Sequence, residues 1–259
     1  MSAVTVRTKW SSGETAYGLW CMSGSPFVAE VMGLEGFDYV CLDLQHGLMG
    51  YESFLACMYA IARTESTPIV RVPSLDSELI GKVLDAGAHG VIVPMVENAA
   101  EAARAVSACR YFPEGCRSIG SSRGIYTLGN DPELVNRQVI CLVMIETAIG
   151  VRNVEEICAV PGVDGVYLGP GDLAITLGLQ PTLISQPGEH ADSIERVRAV
   201  CGARGMVAGI QCESSAAALE RSQEGFRMVT VTTDVHVLRS GFRNESIGIG
   251  LTARSGAGS

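Results

Sequence analysis

The chain has 259 residues, 47% hydrophobic and 18% charged, a balance that supplies a large core and excludes a disordered chain. Its formal net charge of -9 excludes a broad nucleic-acid footprint, although a local cation or metal could still hold an anionic substrate. Of the 19 basic residues only Lys9 and Lys82 are lysines. The nine cysteines form no CxxC pair and several sit inside apolar runs, so we expect reduced thiols packed as small hydrophobes. The first residues lack a charged-then-apolar signal pattern, and no apolar stretch approaches the roughly 18 residues of a membrane span. The expectation is a soluble cytoplasmic protein with no membrane or nucleic-acid partner.

Residues 1–14 read as an N-terminal extension, 15–250 as one domain and 251–259 as a flexible tail. Short β-branched runs then alternate with Ala-rich amphipathic stretches. Tyr17 to Trp20 reads as a first strand, and Ser25-Pro26 as the cap and first turn of a helix. Strands are expected at Tyr39 to Asp43, Pro68 to Val72 and Gly90 to Val93, with helices over Tyr51 to Arg63, Ser77 to Leu84 and Asn98 to Ala108. A Gly-, Ser- and Arg-rich loop covers Tyr111 to Asn130, and Asp131-Pro132 caps a short helix. Further strands are expected at Val139 to Ile145, Val163 to Leu168, Met206 to Ile210 and Arg227 to Val231. Their helices fall near Val151 to Cys158, Asp172 to Thr176 with Asp192 to Arg204, Ser214 to Glu224 and His236 to Phe242. Eight strand–helix units in this length point to an α/β (β/α)₈ TIM barrel. A doubly wound sheet is the alternative, but no G-x-G-x-x-G or Walker A string supports it.

In a barrel, the C-terminal ends of the strands converge on one mouth. There the sequence places Asp43 with His46, Arg71, Glu146, Asp172 and Asp234. Glu146 and Asp172 follow adjacent strands, so their carboxylates could share a space a few Å across. Unpaired, they would repel. A hard cation such as Mg²⁺ or Mn²⁺ would remove that cost, whereas an N-cap or an Arg partner is the alternative. The backbone of the GPGD string, Gly169 to Asp172, offers N–H groups to a carboxylate. Arg71 could fork onto a carbonyl or enolate oxygen, or form a structural ion pair. His46 can take a proton near neutrality, with Asp43 to orient it. His89, His190 and His236 lack such company, and Asp234 reads as a helix cap.

FDYVCLDLQHG, PIVRVP, VLDAGAHGVIVPMVE, RYFPEGCRSIG, MIET, PGVDGVYLGPGDLA and MVTVTTDVHVLRSG together resemble the HpcH/HpaI aldolase family, from about residue 15 to 243. The resemblance implies a metal-dependent class II pyruvate aldolase on a TIM barrel, as a homo-oligomer (trimer or hexamer) whose last helix is exchanged between neighbours. It implies Glu146 and Asp172 as ligands of Mg²⁺ or Mn²⁺, with Co²⁺ also possible. It matches Arg71 to the pyruvate-carbonyl arginine, His46 to the catalytic histidine, and Gly169 and Gly171 to backbone that holds the pyruvate carboxylate. Asp43 and Asp85 match acidic residues near that histidine, Asp85 from a neighbouring subunit. Met144 stands where many members carry Gln, and Gln211 stands where many carry Leu, on the side of the acceptor aldehyde. Independently, neither Lys9 nor Lys82 falls at a strand end, which leaves a lysine Schiff base without a residue. The expected reaction joins or separates pyruvate and an aldehyde through an enolate. The rivals are a CoA-ester lyase or decarboxylase using the same enolate, and a non-catalytic barrel that binds keto acids.

Overall fold

The computed structural model describes residues 5–251. Eight parallel strands close on themselves in chain order: β1 (Ala16–Cys21), β2 (Tyr39–Asp43), β3 (Thr67–Arg71), β4 (Gly90–Val93), β5 (Ile140–Ile145), β6 (Gly165–Leu168), β7 (Val207–Gln211) and β8 (Met228–Thr233). The TIM barrel expected from the sequence is what forms. Strands with both faces covered must be apolar throughout, and β2 through β6 are buried at every position. Alternation then divides the core in two. Trp20, Tyr39, Cys41, Ile69, Ile92, Leu142, Met144, Tyr167 and Met228 fill the barrel interior, while Val40, Leu42, Val70, Val91, Val143, Val166 and Ile210 face the helices.

The helices are α1 (Thr5–Ser11), α2 (Pro26–Leu34), α3 (Tyr51–Ile61), α4 (Ser77–Asp85), α5 (Ala99–Cys109), α6 (Gly124–Thr127), α7 (Pro132–Gln138), α8 (Ala148–Arg152), α9 (Val154–Ile157), α10 (Pro170–Thr176), α11 (Glu189–Ala203), α12 (Ser215–Glu224) and α13 (Asp234–Gly248). Starts follow local chemistry: Ser25, Asp76, Asn98, Asp131, Thr147 and Ser214 each accept an N–H of their own first turn. Where one helix was expected near Val151 to Cys158, there are two, α8 and α9, meeting at Asn153. Asn153 instead donates its side-chain amide to the Glu97 carbonyl at 2.8 Å.

α1 has no counterpart in the sequence reading. It closes the end of the barrel opposite the mouth. Val6 is fully buried with Ala16 and Val207, and Trp10 donates to the Arg227 carbonyl at 2.9 Å. Arg7 reaches Asp164 at 2.7 Å and Lys9 reaches Asp38 at 2.9 Å. With this end plugged, access is left to the strand C-termini. Residues 1–4 and most of the predicted tail, 252–259, lie outside the described residues. All nine cysteines are free thiols, and only Cys116 is exposed. Among the described residues, no helix is long and apolar enough to cross a membrane.

Candidate active site at the barrel mouth

Asp43 and Arg71 are the last residues of β2 and β3, and they lie opposite each other in the strand register. That adjacency makes a forked ion pair. Arg71 Nε donates to Asp43 Oδ1 at 2.9 Å and Nη2 to Oδ2 at 2.6 Å. Asp43 has no exposed surface. Burial alone would raise its carboxyl, but the hydrogen bonds and charge of Arg71 outweigh that and hold it below the usual carboxylate range. Arg71 in turn is pushed up, burial being outweighed by Asp43, and its guanidinium sits 5.0 Å from the Trp20 ring. The expectation that Asp43 orients the His46 imidazole needs correction. Its carboxylate is committed to Arg71 and to the backbone N–H groups of Gln45 at 3.0 Å and His46 at 3.3 Å. It therefore shapes the His46 loop, and the His46 ring stands exposed on that loop.

Glu146 follows β5 and Gly169 follows β6, one step beyond the paired residues Ile145 and Leu168. They are consequently neighbours at the mouth. A Cβ built on Gly169 would stand 2.7 Å from Glu146 Oε2 and 2.6 Å from Met144 Cε, so only glycine leaves room for that carboxylate. The Gly169 N–H is already given to the Ile145 carbonyl at 3.2 Å. Gly169 thus supplies space rather than the expected hydrogen bond to a substrate carboxylate. The N–H groups of Gly171 and Asp172 make no hydrogen bond among the described residues. Glu146 is 2% exposed, and its Oε1 accepts the Met95 N–H at 2.9 Å from a residue held at φ 56°. Its carboxyl is raised chiefly by burial and further by the Asp172 charge, against the opposing Met95 N–H and Arg71.

Trp20, Met22, Arg71, Gly171, Asp172 and Gln211 line a cavity of about 210 Å³ at this mouth, with Thr233 and Leu183 completing its wall. A bulge between β1 and β8 brings Thr233 opposite Trp20 and so turns it inward. Gln211 is held by the Tyr167 hydroxyl at 3.3 Å, which also bonds Thr230 at 2.6 Å. Asp85 is elsewhere. It ends α4 and pairs with Arg117 at 2.8 Å in a larger cavity of about 550 Å³ on the outer wall. Within one chain it does not meet His46.

The HpcH/HpaI aldolase/citrate lyase family model matches residues 16–241, nearly the whole barrel. The chain belongs to the HpcH/HpaI aldolase/citrate lyase family. It is 36% identical over 239 residues to a hydroxypyruvate/pyruvate aldolase of Rhizorhabdus wittichii, covering 92% of this chain and 95% of the relative. It is 37% identical over 226 residues to a 5-keto-4-deoxy-D-glucarate aldolase of Klebsiella pneumoniae, covering 86% and 88%. A crystal structure of an HpcH/HpaI aldolase/citrate lyase family protein from Burkholderia cenocepacia superposes with a TM-score of 0.88 at 31% identity, covering 95% and 99%. As a member of the HpcH/HpaI family with aldolase relatives over its full barrel, the protein is a carbon–carbon lyase.

Two residues of the HpcH/HpaI mouth have roles that the sequence reading did not give them. His190, fully buried on α11, accepts the Gln186 N–H at Nδ1 at 3.1 Å, so its proton sits on Nε2, which donates to the Pro170 carbonyl at 3.0 Å. It therefore ties the Gly169–Asp172 turn to the 179–188 segment that carries Leu183. Asp234, expected as a cap, leaves that task to Thr233, whose hydroxyl accepts the His236 N–H at 3.0 Å. Its carboxylate turns to the β1 end instead.

Proposed function

We propose that the protein cleaves and forms 4-hydroxy-2-oxo acids, with pyruvate and an aldehyde as the separated partners. The observation that carries this reading is the grouping of Arg71, Asp172 and the Gly169–Gly171 backbone around one small cavity, with Glu146 against Gly169. About 210 Å³ suits a compact acid of a few carbons.

The residues fit a divalent cation. Glu146 after β5 and Asp172 in the first turn of α10 supply hard oxygen donors, and the Asp172 charge adds to burial in raising the Glu146 carboxyl, a repulsion that a cation held by both would relieve. Glu146 and Asp172 would hold Mg²⁺ or Mn²⁺, with Co²⁺ as a substitute. When bound, such an ion supplies Lewis-acid stabilisation of the enolate oxygen.

The chain's own residues do the rest. The Gly171 and Asp172 N–H groups bind the pyruvate carboxylate. Arg71 already gives Nε and Nη2 to Asp43, so Nη1 is left to donate to the 2-oxo oxygen, where negative charge grows as the C3–C4 bond breaks. Asp43 keeps the guanidinium in plane and charged. His46 takes the proton of the 4-hydroxyl and passes it to solvent, to which its loop is open. Gln211 and Thr233 face the aldehyde. Asp85 enters only through a neighbouring copy. Leu238 and Phe242, one turn apart on α13, are both exposed and supply an apolar face for a homo-oligomer, and the nine free thiols suit a reducing cytoplasm.

Exchange of the pyruvate methyl hydrogens for deuterium tests the donor half without knowledge of the aldehyde. We expect exchange with Mg²⁺ or Mn²⁺, its loss with EDTA, and its loss in Arg71→Ala. Metal-independent exchange, or full exchange in Arg71→Ala, overturns the assignment.

A further inference from the structure

Asp234 is 5% exposed at the seam where β8 closes on β1. Its Oδ1 accepts the Met22 N–H at 2.9 Å and the Val235 N–H at 2.8 Å. Its Oδ2 accepts the Ser23 N–H at 3.0 Å, and the Cys21 thiol donates to it at 3.6 Å. Both loop N–H groups thus depend on one carboxylate 211 or more residues away.

Met22 passes this restraint on. Its side chain lines the cavity, and its carbonyl accepts the Leu48 N–H at 2.7 Å, two residues beyond His46. On the other side of His46, Asp43 Oδ1 accepts the Gln45 and His46 N–H groups. Between these anchors lies Gly47, where a side chain would collide with the Asp43 carbonyl oxygen and stand 3.2 Å from the Met22 oxygen. The His46 loop is therefore pinned at both ends, by the Arg71-bound Asp43 and by the Asp234-bound Met22.

We propose that Asp234 is a positioning residue for proton transfer: through Met22, which lines the cavity, it fixes where the His46 loop sits at the barrel mouth. The assignment rests on the lyase reading above. Bonds from N–H groups to an ionised carboxylate are roughly twice as strong as neutral ones. Asparagine keeps the size but offers one acceptor oxygen, and its NH₂ would face a donor. Asp234→Asn therefore releases Met22 or Ser23, and Leu48 with them.

Two measurements test this. Amide hydrogen exchange in Asp234→Asn should accelerate about 10- to 100-fold at Met22 or Ser23, and also at Leu48, which never touches Asp234. Aldol cleavage should fall by about the same factor. Loss of CO₂ from oxaloacetate, which forms the same enolate without a hydroxyl proton to remove, should be kept. In a His46→Ala background, Asp234→Asn should add no further loss. Leu48→Pro, which deletes the backbone N–H of a residue 86% exposed, should copy the kinetic defect should Asp234→Asn fold poorly. Unchanged Leu48 protection, an equal fall in both reactions, or a full additional loss in the His46→Ala background overturns the proposal. A wild-type protein without aldol cleavage would overturn the lyase reading alone, and Leu48 exchange would still decide the coupling.

Discussion

Replacing Arg71 with methionine removes the cation that pairs with the Asp43 carboxylate and keeps much of the side-chain length. Asp43 has no exposed surface and takes two short bonds from the guanidinium, at 2.9 and 2.6 Å. Breaking a buried pair by deleting one partner costs about 3–5 kcal/mol, because the other charge is left uncompensated. The Gln45 and His46 N–H groups remain on Asp43, which favours the lower end. At about 2–4 °C per kcal/mol for a domain of this size, the melting temperature should drop by roughly 6–20 °C at neutral pH. The pH dependence carries a sign. In the native protein the Asp43 carboxyl is lowered, so its contribution is present above the ordinary carboxylate pKa of about 3.9 and is lost as pH falls through the lowered value. In Arg71→Met burial, the largest single influence on Asp43, is opposed only by the hydrogen bonds from Trp20 and the loop backbone, so the carboxyl is raised and its contribution is lost as pH rises through that raised value. The gap between the two proteins must widen from pH 4.5 to pH 7. Urea denaturation at both pH values measures it. A variant as stable as the native protein at pH 7, or one equally destabilised at both pH values, refutes an ionised, Arg71-dependent Asp43.

Two further outcomes follow from Glu146. Its carboxyl is raised by burial and by Asp172, so its contribution to stability is present below about 4.3 and lost as pH rises through the raised value. A bound cation requires the ionised form and reverses that loss. Mg²⁺ or Mn²⁺ added after EDTA should therefore raise the melting temperature more at pH 7.5 than at pH 5, and Glu146→Gln should abolish the rise. Equal rises at both pH values count against Glu146 as a ligand. Gly169→Ala sets a methyl 2.7 Å from Glu146 Oε2 and should cost about 1–3 kcal/mol in strain. It should also slow pyruvate exchange by about 100-fold through misplacement of the carboxylate. Native exchange rates in Gly169→Ala would show that the Glu146 carboxylate is not used.

The barrel was legible because parallel strands covered on both faces have no polar positions to blur them. β2 and β4 were read to the residue, and the other strands within about two. The groups at strand ends followed from the same pattern. Their partners did not: Asp43 was expected to orient His46, and its pairing with Arg71, like the contact of Glu146 with Gly169, is set by the strand register. α1 was missed because its anchors, Val6 and Trp10, are only one helical repeat of apolar spacing. Their burial comes from strand residues more than 200 positions away, such as Val207 and the Arg227 carbonyl.

The residues missed at the site share a cause, and it bears on how the mouth works. His190 and Asp234 each sit on a helix, where a histidine among polar neighbours reads as structural or surface and an aspartate at a first turn as a cap. The role of Asp234 arises only when the ring closes and brings it the Met22 and Ser23 N–H groups, and that of His190 when α11 folds back on the Pro170 carbonyl 20 residues earlier. The strands hold Arg71 and Glu146, which must resist movement because they face growing charge. The loops hold His46 and Leu183; the first is tied by Asp43 and, through Met22, by Asp234, the second by His190. Donor chemistry thus rests on rigid strand ends, while proton transfer and the acceptor wall rest on loops held by a few buried polar side chains. Substitution at His190 or Asp234 should therefore alter which aldehyde is used, and how fast, before it alters enolate formation.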